Sequence, residues 1–165
     1  VQTWALPSSV SEAGMWSLIT YGGDLLCGTV DGRLLLLDRK NMSPKKSLIL
    51  GKHNVRSLYL NDKTLYAACR DKKLFKIDPS EFKVILSQKN AHNKMFDCAR
   101  TYEDMLATVS YPCGEIALWD TNTLEKRKEI KTALSLSGSA YIEENKLFVS
   151  SRNLNGIGII CLNRI

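Results

Sequence analysis

The chain repeats itself at a step of 40 residues, and that period limits its fold more than any other feature. Leu25 and Leu65, Asp31 and Asp71, and Asp38 and Asp78 are each 40 apart; Met15, Val55 and Met95 keep the step, as do Leu18, Leu58 and Cys98. The interval then stretches to 41 from Leu65 to Leu106 and from Leu106 to Leu147, and to 42 from Asp78 to Asp120. The third unit carries the insertion SYPCGE where the first two have VDGR and RDKK. A fixed period of this length means one supersecondary unit used repeatedly, each burying its apolar face against the next. The units read 14–53, 54–93, 94–134 and a shorter 135–165, with residues 1–13 in front as a spare outer strand.

Within each unit, short β-prone runs alternate with turn signals, the pattern of antiparallel strands. The runs are MWSLIT, DLLCGT, RLLLLD and KSLIL; then VRSLYL, TLYAAC, KLFKID and FKVIL; then MFDCART, MLATVS, EIALWD and KRKEI; and finally SGSAYI, KLFVSS and GIGIICL. YGGD, LNDK and EENK place Gly, Asn or Asp where a tight hairpin needs positive φ or an Asx bond. Ser43-Pro44 and Asp78-Pro79 are expected to close the third strands of their units, because Pro gives no ladder donor. No stretch carries a helical stripe. The expectation is an all-β chain of four-stranded antiparallel blades, a β-propeller, in which LLLL at 34–37 is a strand packed on both faces.

At 165 residues, 44% hydrophobic and 24% charged, the chain has the balance of one ordinary domain with a core of its own. Its longest apolar runs, 34–37 and 48–50, fall far short of the ~20 residues of a spanning helix. VQTWALPSSV does not look like a signal peptide, and the missing initiator Met is read as processing or as a piece of a longer chain. Cys27, Cys69, Cys98, Cys113 and Cys161 are odd in number and contain no CxxC pair, so neither a disulfide framework nor a structural zinc site is expected. Most are read as buried, reduced thiols, which suits a cytoplasmic or nuclear setting.

Net charge +6 and a pI near 9.1 admit nucleic acid as a partner. The tightest basic run, Lys126, Arg127 and Lys128, is flanked by Glu125 and Glu129 and reads instead as a solvated edge strand. Catalytic machinery is not indicated: His53 and His92 sit at similar places in adjacent units and read as blade-edge hydrogen-bonding residues, and no nucleophile elbow, zincin, P-loop or dinucleotide motif occurs. Asp31-Gly32-Arg33 is followed by leucines where a calcium loop would need oxygen ligands. No enzyme activity, metal or cofactor is expected.

The units resemble WD repeats. Trp119-Asp120 ends the third strand of unit three, and Leu37-Asp38 and Ile77-Asp78 stand in that place in the first two units. Asp31 and Asp71 match the turn Asp that in this family bonds backbone and a His of its blade, while His53 and His92 hint at the family's Gly-His pair. Units three and four lack the turn Asp. LLCGTVDGRLLLLD is also similar to a quinoprotein-type repeat, without the Thr-Gly and Trp that should follow.

The resemblance implies part of a ring of about seven blades, ~280 residues at ~40 each, completed by further chain or another subunit; a four-bladed ring closed by the first and last segments is the alternative. It further implies a non-catalytic protein-interaction scaffold that docks a peptide or partner domain on its top face, with a looser likeness to the substrate-recruiting propellers of ubiquitin ligases and some kinases. Carried over by position, the contact residues are Gly14, Trp16 and Val30; Asn54, Arg56 and Arg70; Lys94 and Phe96; and Ser135 and Ser137. Trp and Arg dominate interface hot spots, and Arg56 and Arg70 favour a partner with a carboxylate or phosphate. Trp16 and Phe96 read equally well as core. A nucleic-acid-binding propeller is the alternative function.

Overall fold

The computed structural model describes residues 14–153 and 155–162, except the side chains of residues 98, 99, 137 and 138. The spare strand expected over 1–13 lies outside the described residues. The rest is β-structure in the expected order. β1 (Met15–Tyr21), β2 (Asp24–Thr29), β3 (Arg33–Asp38) and β4 (Pro44–Ile49) form one antiparallel sheet in sequence order. β5 (Val55–Asn61), β6 (Thr64–Cys69), β7 (Leu74–Asp78) and β8 (Lys83–Gln88) form the second, and β9 (Phe96–Tyr102), β10 (Met105–Ser110), β11 (Glu115–Asp120) and β12 (Lys126–Lys131) the third. β13 (Leu136–Glu143), β14 (Lys146–Ser151) and β15 (Gly156–Cys161) make a three-stranded fourth.

Local chemistry sets the turns. The hairpins between first and second strands place Gly22, Asp62, Glu103 and Glu144 at positive φ, as tight primed turns require. After the third strand of each of the first three sheets the terminal Asp folds the chain back. Asp38 Oδ1 accepts the N–H of Lys40 at 2.8 Å, Asp78 Oδ1 that of Ser80 at 2.8 Å, and Asp120 Oδ1 those of Asn122 and Thr123 at 2.7 and 2.8 Å. All three carboxyls are held below the usual range: the Asx bonds lead at Asp38 and at Asp120, which falls to about 2 with help from Arg127, and at Asp78 the Ser80 hydroxyl leads, with the backbone bonds adding to it. Asp78-Pro79 does end a third strand, but Ser43-Pro44 does not: β3 stops at Asp38, and Pro44 opens β4 opposite Leu37 at a register shift. On an edge strand the missing N–H leaves no partner unsatisfied.

Sheets pack face to face, and the core lies between them. Leu26, Leu34 and Leu36 of the first meet Val55, Leu65, Ala67, Phe75 and Ile77 of the second. Tyr66, Ala68 and Leu74 meet Phe96, Leu106, Ala117 and Trp119, and Val109, Ile116 and Leu118 meet Leu136, Leu147 and Val149. A strand between two such interfaces is buried on both sides, which explains the fully buried EIALWD of β11; in LLLL of β3, Leu34 and Leu36 face the second sheet, and Leu35 and Leu37 are buried on the opposite face in a cluster with Cys27 and Leu25. β12, with the Lys126–Arg127–Lys128 run, is an exposed outer strand. On the fourth sheet, Tyr141, Ile157 and Ile159 stand exposed on the face that in the first three sheets packs on the next.

Candidate partner-binding face

Alternating strand direction sorts the loops to two ends. The starts of the first strands, the turns between second and third strands and the links between sheets share one end. One backbone bond per sheet marks equivalent positions there: Val30 N to Gly14 O at 3.1 Å, Arg70 N to Asn54 O at 2.9 Å, Tyr111 N to Met95 O at 3.0 Å and Arg152 N to Ser135 O at 2.8 Å. Val30 and Arg70 are therefore equivalent, and their counterparts Tyr111 and Arg152 were not singled out in the sequence. In the third unit Met95, not Lys94, holds the position of Gly14 and Asn54.

The same offset moves the next residues. Met15, Val55, Phe96 and Leu136 pair with Thr29, Cys69, Ser110 and Ser151, so Trp16 and Arg56 correspond to Asp97 and Ser137. Phe96 is fully buried against His92, Leu106 and Trp119 and is core, not contact surface. Asn54 is buried too, 7% exposed, and serves the face through its carbonyl. Gly14, Lys94 and Arg70 are exposed, Val30 and Ser135 half-buried, and the Ser137 side chain lies outside the described residues.

The structure brings Trp16 and Arg56 together. Each is the extra residue of a β-bulge at the start of its strand, between Met15 and Ser17 and between Val55 and Ser57. A bulge re-aims the side chain it inserts. The Arg56 guanidinium carbon lies 5.0 Å from the centre of the Trp16 ring and 5.1 Å from that of Tyr111, a cation between two aromatic faces. Asp97 faces it, with Nε to Oδ1 at 3.7 Å, an ion pair too long for a hydrogen bond. Arg56 Nε, Asp97 Oδ1 and the Tyr111 hydroxyl are buried without hydrogen-bond partners. Burial lifts the Asp97 carboxyl to about 6 despite the opposing pull of Arg56. Trp16, 51% exposed, covers this polar centre.

The structural Asp residues act locally. Asp31 bonds Thr29 and pairs with Arg33 at 3.2 Å, and Asp71 pairs with Lys73 at 2.6 Å. Asp31 and Asp71 thus engage their own turns, and His53 is exposed. The carboxylate–histidine bond that the resemblance implies occurs instead in the third sheet, supplied by Glu115. His92 Nδ1 lies 2.5 Å from Glu115 Oε1 and Nε2 2.6 Å from Thr108 Oγ1, which accepts the Trp119 indole N–H at 2.7 Å. Burial lowers the His92 pKa, and a neutral ring satisfies the chain when Nδ1 donates to Glu115 and Nε2 accepts from Thr108. No signal at the turn Asp position pointed to Glu115; it stands four residues before Trp119, on β11 itself.

Cys27 and Cys69 are buried, with thiols pushed up to about 11 and about 12, while Cys113 and Cys161 are exposed. Among the described residues no group of three or more His, Cys, Asp or Glu could hold a metal. The four first strands also surround a cavity of about 470 Å³, with Ile19, Leu58, Tyr59 and Tyr141 in its wall and Arg100 over the Tyr141 ring at 4.4 Å.

No family model and no curated protein matches the chain. Solved structures do. The fold is that of a β-propeller. The chain aligns with the β-propeller domain of Cps50 (Swd1) from Myceliophteria thermophila at a TM-score of 0.73 and 16% identity, over 88% of this chain and 52% of that one. It aligns with the computationally designed Ika8 protein at 0.75 and 11% identity, over 89% of this chain and 45% of that one. With the computationally designed Ika4 protein the TM-score is 0.77 at 12% identity, covering 92% of each. The propeller thus spans about half the length of two of these structures and nearly all of the third.

Proposed function

We propose that this propeller is a non-catalytic docking scaffold and that its partner, a peptide or protein domain, binds the end of the sheets where Trp16, Arg56 and Tyr111 meet. The observation that carries this reading is the half-exposed Trp16 ring stacked on an Arg56 whose buried Nε lacks a hydrogen-bond partner. An aromatic–arginine centre of this kind has the composition of an interface hot spot. The test is capture from cell extract by wild-type chain beside a Trp16→Ala/Arg56→Glu double variant of unchanged circular dichroism. Proteins recovered by the first and lost by the second support the assignment; identical recoveries sink it.

On the same reading the exposed face of the fourth sheet, with Tyr141, Ile157 and Ile159, receives a further sheet from additional chain or another subunit. The repeated packing of the first three sheets supports this, since each covers the same face with its successor. In a ubiquitin-ligase or kinase assembly of the cytoplasm or nucleus, the scaffold would recruit the substrate. A nucleic-acid partner is the competing reading, favoured by the net charge alone.

A further inference from the structure

We infer that the ligand of this face is an acidic peptide segment that passes beside Trp16 and sets its carboxylates against Arg70, Lys94 and Arg152; the inference rests on the docking reading above. The net charge is not spread evenly over the propeller. At the Trp16 end the carboxylates Asp31, Asp71 and Asp97 each already face a cation, Arg33, Lys73 and Arg56, and Glu115 is buried against His92. Among the described residues, Lys52, Arg70, Lys72, Lys94 and Arg152 of that end form no ion pair, and all but the half-buried Lys72 are exposed. The opposite end is acidic: its hairpins carry Asp62, Glu103, Asp104, Glu143 and Glu144.

A surface with its acids paired or buried and its outer cations left over attracts negative charge and orients it. Arg56 is excluded as the main anion contact, because Asp97 and two rings already occupy it. The rim cations remain. Arg70 and Arg152 hold equivalent positions on the second and fourth sheets, and Tyr111, whose ring lies against Arg56, holds that position on the third sheet between them, so a ligand touching both passes beside the aromatic–arginine centre. The exposed Trp16 indole of that centre is suited to an apolar or backbone contact.

The same details disfavour a nucleic-acid strand. Single-strand binding uses successive stacking rings, whereas Trp16 is the one exposed aromatic among the described residues of this end; Phe96 and Tyr111 are buried.

Fluorescence anisotropy with the full chain tests this, using a labelled peptide of alternating Glu and Ala, its Lys–Ala counterpart and a labelled oligothymidylate. The expected result is binding of the Glu–Ala peptide alone or in clear preference, weakening with added salt. Arg70→Glu/Arg152→Glu should lower that affinity by about tenfold or more, and Lys146→Glu at the opposite end should leave it unchanged. Tighter binding of oligothymidylate, equal loss with Lys146→Glu, or no binding of the Glu–Ala peptide overturns the proposal. If the acidic peptide fails while Trp16→Ala/Arg56→Glu still abolishes capture from extract, docking stands and the acidic class falls; if both experiments fail, the docking reading falls with it.

Discussion

Trp16 and Arg56 occupy the same bulge of two successive sheets, and the two side chains stack on each other at 5.0 Å. A repeat thereby makes a contact between unlike side chains. Two residues that are equivalent by fold and different in chemistry are turned toward one axis and complete each other.

Truncating Trp16 separates the fold from the site. The ring is 51% exposed and its main described contact is the cation–π stack, worth about 0.5–1 kcal/mol where solvent reaches it. Trp16→Ala should therefore shift the urea midpoint only slightly. Its effect on partner affinity should be a loss of about 2 kcal/mol, the scale of a central hot-spot residue. A midpoint that falls as far as the affinity would show that Trp16 is core.

Asp97 should make stability fall as pH rises. Its carboxyl titrates at about 6 in the folded chain against 3.8 for the free group, with desolvation the leading cause. The folded state therefore binds the proton more tightly than the unfolded one. The cost is absent below the lower value, grows between the two and is complete above about 6, where it reaches at most about 3 kcal/mol. Asp97→Asn is neutral throughout. The urea midpoint of the wild type should thus fall relative to that of Asp97→Asn between pH 4 and pH 7, and a constant difference would contradict the burial argument.

Most of the fold was readable from spacing, because each strand's turn chemistry is written locally: Asp38, Asp78 and Asp120 sit in the sequence where they make their Asx bonds. The site was read one residue out of register in the third unit. A step of 40 carries Arg56 to Phe96, but the interval from Leu65 to Leu106 is already 41, and strand pairing follows the latter. That single residue exchanges a core Phe96 for Asp97 and hides the Arg56 partner. Tyr111 was obscured for a related reason, since it lies in the SYPCGE insertion, where the first two units give no template. Glu115 escaped because nothing marks a carboxylate inside a strand as a histidine partner until the fold sets it 2.5 Å from His92.

Gly28 should be intolerant of a methyl group. It lies where the first sheet packs on the second, and a Cβ there would come within 2.3 Å of Ser17 Oγ and 2.7 Å of Val55 Cβ. Ser17 is itself held, donating to the Val55 carbonyl at 2.9 Å. Relief requires the two sheets to separate or Ser17 to give up its bond, at about 1–3 kcal/mol. Gly28→Ala should lower the urea midpoint accordingly, whereas Gly23→Ala, with open space around its Cβ, should be nearly silent.

The buried chain of the third sheet makes the sharpest stability prediction. Thr108 is fully buried and its hydroxyl is the junction, accepting from Trp119 Nε1 and donating to His92 Nε2. Thr108→Val keeps the shape and removes the junction, leaving the indole N–H and the imidazole nitrogen buried without partners. Each stranded group costs about 1–3 kcal/mol, so a combined loss of about 2–6 kcal/mol is expected. Thr108→Ser keeps the hydroxyl and gives up one methyl, for about 1 kcal/mol. Chemical denaturation of the two variants should therefore rank serine above valine, the reverse of what volume alone dictates. A valine variant as stable as the wild type would mean that the His92–Thr108–Trp119 bonds contribute nothing, and that sheet packing alone holds the blade.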